Sequence, residues 1–133
     1  MEELSYKAKI AVVKLLDEIL NADKRVHEKE VKYLDEVIKS FSLNENYNEE
    51  VGNLLTLEAM ATIRILSVDQ KREIAKMMGK MIVVDNDINY NEVKLYNTFC
   101  ESCDIEKDFN IEDYPEYFLS GPFVNPEDVM NGI

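Results

Sequence analysis

The sequence predicts an all-α fold: one helical domain built from two similar helical hairpins joined by shorter helices. Three observations carry the prediction. Apolar residues recur at spacings of three and four through most of residues 4–105. No segment of useful length alternates apolar and polar residues with the period of two that a half-buried strand requires. One acidic motif occurs twice, at equivalent points of the helical pattern, which marks an internal repeat. At 133 residues and 46% hydrophobic content, the chain suffices for one compact domain with its own core.

The first helix is predicted from Leu4 to about Ala22, with Leu4, Ala8, Ala11, Val12, Leu15, Leu16, Ile19 and Leu20 on one face. A second begins near His27, turns Val31, Leu34, Val37, Ile38 and Phe41 inward, and fades at Ser42-Leu-Asn-Glu-Asn, where side chains compete for backbone hydrogen bonds. A short helix is expected around Glu49 to Leu55, then another from Leu57 to Leu66 with Thr56 as its N-cap. Ser67-Val-Asp-Gln70 reads as a capping box opening a long helix whose inward residues are Ile74, Met77, Met78, Met81 and Ile82. The last long helix follows Asp85 and turns Val93, Tyr96, Phe99, Cys100 and Cys103 inward. From Asp108 the pattern breaks: Pro115, Pro122 and Pro126 and the aromatics Phe109, Tyr114, Tyr117, Phe118 and Phe123 all fall there. The expected organisation is a helical domain over 1–107 and an irregular tail over 108–133, packed back on the domain because so many aromatics are costly to leave in water.

The repeated motif is Asp23-Lys-Arg-Val-His-Glu-Lys-Glu30-Val31-Lys32, answered at a constant offset by Asp85-Asn-Asp-Ile-Asn-Tyr-Asn-Glu92-Val93-Lys94. In the second copy Asn89 suits an N-cap, Glu92 falls at N3, and Ile88 and Val93 hold the positions of a hydrophobic staple. The first copy repeats this with His27 at the cap, Glu30 at N3 and Val26 opposite Val31. Helix starting therefore explains both glutamates. Asp23 and Asp85 are different, since each ends a long helix, where the macrodipole disfavours negative charge. Turn N–H groups, the neighbouring Lys24 and Arg25 in the first copy, or a bound cation are the alternatives that compensate them. The candidate metal ligands are Asp23, Glu30, Asp85, Asp87 and Glu92, an all-oxygen set suited to calcium or magnesium. The second copy, with Asp87 added and no basic residue in its turn, is the stronger candidate. An EF-hand is excluded because the glycine needed at loop position 6 is Tyr90 and the glutamate needed at position 12 is Tyr96.

Other chemistry finds little support. Cys100 and Cys103 form a lone C-x-x-C near a helix end, best read as packing, and the only histidine, His27, is a solvent-facing turn residue. There is no Gly-rich phosphate loop, no G-x-S-x-G and no H-E-x-x-H. Fifteen basic against 27 acidic residues give a net charge of −12, which repels nucleic acid and anionic lipid and favours cations or basic partners. The N-terminus lacks a signal-peptide pattern and no apolar run approaches the roughly 18 residues of a membrane span, so a cytoplasmic protein without membrane insertion is expected.

A helical hairpin ending in Asp, then a turn, an apolar residue and a helix with Glu in its first turn, all repeated after an intervening helical pair, resembles the TerB-like superfamily. That group includes the tellurite-resistance protein TerB and the N-terminal domain of DjlA-type membrane co-chaperones. The matching stretch runs from Ala11 to Ile105 and includes Leu66-Ser-Val-Asp-Gln-Lys-Arg-Glu-Ile-Ala75. The resemblance implies a non-enzymatic, stress-linked interaction or sensing module, with divalent-cation binding at Asp23, Glu30, Asp85 and Glu92. Where many members carry glycine after the aspartate, this chain has Lys24 and Asn86; Asn accepts a left-handed turn more readily than Lys. The expected function is presentation of an acidic surface to a protein partner. Divalent-cation binding or sensing is the alternative, and a metal-dependent hydrolase, which needs a concave pocket beside the carboxylates, is a third.

Overall fold

A computed structural model describes residues 3–22, 28–84 and 88–107, and the backbone of 119–120. Among these the fold is helical: α1 (Tyr6–Leu20), α2 (Glu28–Phe41), α3 (Tyr47–Asn53), α4 (Thr56–Arg64), α5 (Val68–Val83) and α6 (Tyr90–Cys103). Two two-residue strands, β1 (Ile88–Asn89) and β2 (Leu119–Ser120), pair in parallel. Nothing in the residue pattern announces this pairing, because two residues are too few to express a period.

Helix α1 is the centre of the molecule and packs on each of the other five helices. Its buried residues include Ile10 and Val13 as well as the predicted stripe, so it is enclosed rather than laid against one face. That follows from composition: a helix apolar around most of its circumference has to be surrounded. Ser5 starts it, its Oγ accepting the Ala8 N–H at 3.1 Å.

The helix ends follow local chemistry. At α5 the predicted capping box forms, with the Ser67 N–H donating to Gln70 Oε1 (3.0 Å) and the Gln70 N–H donating to Ser67 Oγ (3.1 Å). At α4 the start lies one residue earlier than expected: Thr56 is inside the helix, its hydroxyl donating to Glu18, while Leu55 takes the cap position. Leucine offers no acceptor, but Glu58 Oε1 reaches back to accept the Leu55 N–H at 3.1 Å. Helices α2 and α6 stop where Ser42 (φ 53°) and Asp104 (φ 57°) turn left-handed. The Ile105 N–H then returns to the Cys100 carbonyl at 2.8 Å, closing the last turn of α6.

Four contacts orient the two hairpins. Lys9 Nζ donates to the Phe41 carbonyl (3.2 Å), bringing the start of α1 to the end of α2. Lys71 Nζ donates to the Asp104 carbonyl (3.4 Å), doing the same for α5 and α6. Both hairpins are therefore antiparallel. Gln70 Nε2 donates to the Glu3 carbonyl (3.2 Å), joining these two open ends at one pole of the bundle. At the other pole Lys80 Nζ lies 5.1 Å from the centre of the Tyr33 ring, joining the last turn of α5 to the first turns of α2. The starts of α2 and α6 thus lie at the same pole.

Candidate functional site at the acidic pole

Helix α2 opens with Glu28, Lys29 and Glu30, and α6 with Tyr90, Asn91 and Glu92. Asn89 caps α6 as predicted, its side chain accepting the Asn91 N–H at 2.8 Å. Ile88 and Val93, the staple positions, are both buried. The unforeseen feature is the state of the glutamates: Glu30 and Glu92 are each 0% exposed.

A capping role alone does not require this. Glu58 performs the N3 role at α4 while exposed. Removing an ionised carboxylate from water is expensive unless cations, hydrogen-bond donors or a metal replace the hydration; otherwise the group holds a proton. The sequence contained the signal in a form easily overlooked. Glu30, Leu34, Val37 and Phe41 follow the spacing i, i+4, i+7, i+11 and are all buried; so are Glu92, Tyr96, Phe99 and Cys103, at the same spacing and offset. Each glutamate is the first member of its helix's inward stripe, and the repeat extends beyond the turn into the core.

Asp23, Asp85, Asp87 and His27 lie outside the described residues. Among the described residues no three Asp, Glu, His or Cys side chains gather into a metal cluster. Asn89, which caps α6, is buried there too. The donors present are oxygen-rich, which fits a hard cation better than zinc or copper.

The remaining candidates occupy other places. Cys100 and Cys103 are buried thiols, not joined in a disulfide, and Cys103 Sγ donates to the Met60 carbonyl at 3.6 Å. Burial pushes both thiols up to about 11, away from nucleophilic or metal-binding thiolate chemistry. A cleft of about 200 Å³ lies at the opposite pole, lined by Arg72, Ala75, Lys76, Glu106 and Lys107. Its basic groups have acidic neighbours, Arg72 with Asp69 (3.8 Å), Lys76 with Glu73 (3.6 Å) and Lys107 with Glu101 (3.5 Å), so the cleft is close to charge-balanced. It contains none of the predicted ligands.

Comparison with known proteins adds the fold alone. No protein-family model matches the chain, and no curated protein matches it. Among solved structures it is similar to a protein of unknown function, PG1108, from Porphyromonas gingivalis W83. The TM-score is 0.67 at 16% sequence identity, over 98% of this chain and 90% of that one. The likeness supports the all-α class of the fold.

Proposed function

We propose that this chain is a non-catalytic helical domain that binds or senses a divalent cation at its acidic pole. The observation that carries the reading is the complete burial of the same glutamate in both copies of the motif, Glu30 and Glu92, on helices that start at one pole. A cap or a solubilising charge belongs in water. Two carboxylates held inside at corresponding positions suit a hard cation, and Asp23, Asp85 and Asp87, just upstream in sequence, are the further candidate oxygen ligands, of the kind calcium and magnesium prefer. From the TerB-like resemblance of the sequence we further propose a stress-linked sensing role.

Calorimetry with calcium, magnesium, manganese and zinc tests it. Binding heat with at least one of the first three is expected, together with a melting temperature that climbs as metal concentration rises. Glu30→Gln and Glu92→Gln should each weaken binding at least about tenfold, the loss of one charged ligand being worth more than 1.4 kcal/mol. Absence of both heat and thermal shift at millimolar metal would sink the reading.

A second reading, an interaction module for a protein partner, is favoured by a specific surface. Leu57 on α4 (75% exposed) and Ile65 at its C-cap (85%) are exposed, as are Leu55 at the start of α4 and Val68 at the start of α5. Apolar side chains grouped this way on a strongly acidic molecule suit a partner with an apolar contact area and basic rim. A pull-down comparing the wild type with a Leu57→Lys/Ile65→Lys variant, under stress and normal conditions, checks it. Identical recoveries from the two proteins count against it.

A further inference from the structure

Among the described residues, the large apolar side chains left in water are Leu55, Leu57, Ile65 and Val68, and all four fall between positions 55 and 68. That window is α4 with its two ends. The inner side of α4 is occupied: Ala59 and Ile63 are fully buried in the core. The outer side carries a second stripe, in which Leu57, Ala61 and Ile65 recur every four residues and are exposed, with the exposed Glu58 and Arg64 along its two edges. A helix apolar on two faces has one face without a partner here. Charge decides what fits it. The chain carries −12, yet residues 55–68 hold one acid, Glu58, and one base, Arg64, and are neutral. A basic protein finds no excess of acid on this stretch, whereas two acidic copies meet here without bringing like charges together.

We propose that the outer face of α4 is a self-association site, on which a second copy of this chain packs its own α4 antiparallel about a two-fold axis at Ala61. The stripe is symmetric about that residue: Leu57 and Ile65 stand four positions either way, Glu58 and Arg64 three. In an isologous contact, Leu57 of one copy therefore comes level with Ile65 of the other. Glu58 comes level with Arg64 on opposite edges of the seam, so each end of the contact stays neutral. A parallel arrangement would instead bring Glu58 to Glu58 and Arg64 to Arg64. Ala61, the smallest side chain of the stripe, lies at the crossing, where it lets the helices approach to roughly 8 Å. A face of a few hundred Å² per copy is smaller than the roughly 800 Å² per partner of a stable interface, so the dimer is reversible and depends on concentration. The inference rests on the reading of this surface as an interface and commits its occupant to a second copy; a basic partner protein is the rival that the test separates.

Analytical ultracentrifugation of the full chain from about 10 μM to about 1 mM, at low and high sodium chloride, tests it. The average mass should climb from monomer toward dimer with concentration. Raising salt from about 50 to about 300 mM should tighten association about threefold or more, because it screens the repulsion between two acidic bodies and leaves the apolar contact intact. Ala61→Glu puts a good helix former at an exposed position and sets two carboxylates against each other at the axis, so dimerisation should weaken at least about tenfold with circular dichroism unchanged. A chain that stays monomeric at every concentration and salt overturns the inference; if the pull-down still separates wild type from Leu57→Lys/Ile65→Lys, the face serves another protein and the interaction reading stands. A dimer indifferent to Ala61→Glu uses some other surface, and one that weakens with salt is held by opposite charges; either result overturns the inference too. A dimer lost in Ala61→Glu, with identical pull-down recoveries, supports self-association and removes the other partner.

Discussion

At the N3 position of a helix, Glu58 and Glu92 have the same backbone job within reach, and they differ in what covers them. Glu58 accepts the Leu55 N–H from the surface, whereas Glu92 is wholly inside. The repeat made this position legible as a motif, but its burial followed only from the inward stripe that continues through Tyr96, Phe99 and Cys103. Glu58→Ala should cost about 0.5–1 kcal/mol in urea denaturation, the worth of a helix-start hydrogen bond. The buried thiols give a pH signature. Burial raises Cys100 and Cys103 from 9.0 to about 11, so between those values the folded state keeps protons that the unfolded chain releases. The sign is then fixed: stability falls as pH rises from about 9 through about 11, and is insensitive to these groups below that window. Denaturation midpoints across that range should drop less steeply in a Cys100→Ala/Cys103→Ala variant. Tyr33, raised chiefly by burial, retains a dependence of the same sign.

Among the elements, α5 and α6 were the most legible because their starts are chemically explicit. Ser67 and Gln70 satisfy each other's backbone groups, and Asn89 satisfies Asn91. Ser67→Ala should lower stability by about 1 kcal/mol, read from thermal or urea unfolding. The end of α6 offers a gain instead: Asp104 adopts φ 57° where glycine meets no Cβ penalty, so Asp104→Gly should raise stability by a few tenths to about 1 kcal/mol in the same assay. The start of α4 was misplaced by one residue because Thr56 is the better capping residue on intrinsic preference. Tertiary structure overrode it: the Thr56 hydroxyl is engaged by Glu18 of α1, and Glu58 caps from within.

For the molecule as a whole, the enclosed α1 sets the stability and the outer side of α4 is spare. Leu16, fully buried on α1, should cost about 2–5 kcal/mol when cut to alanine, while Leu57→Ala, on the exposed side of α4, should stay within about 0.5 kcal/mol; chemical denaturation of the two variants separates them. The sequence by itself determined the helical class, the two hairpins, the starts of α5 and α6 and the duplicated acidic motif, because those depend on residues within a few turns of one another. The enclosure of α1, the return of Leu119–Ser120 to Ile88–Asn89, and the burial of Glu30 and Glu92 were decided by tertiary structure. Each depends on which segments, distant in the chain, come to lie over a given face. A helical period gives the direction a side chain points along its own helix, and only the packed bundle settles whether water or another helix is waiting there.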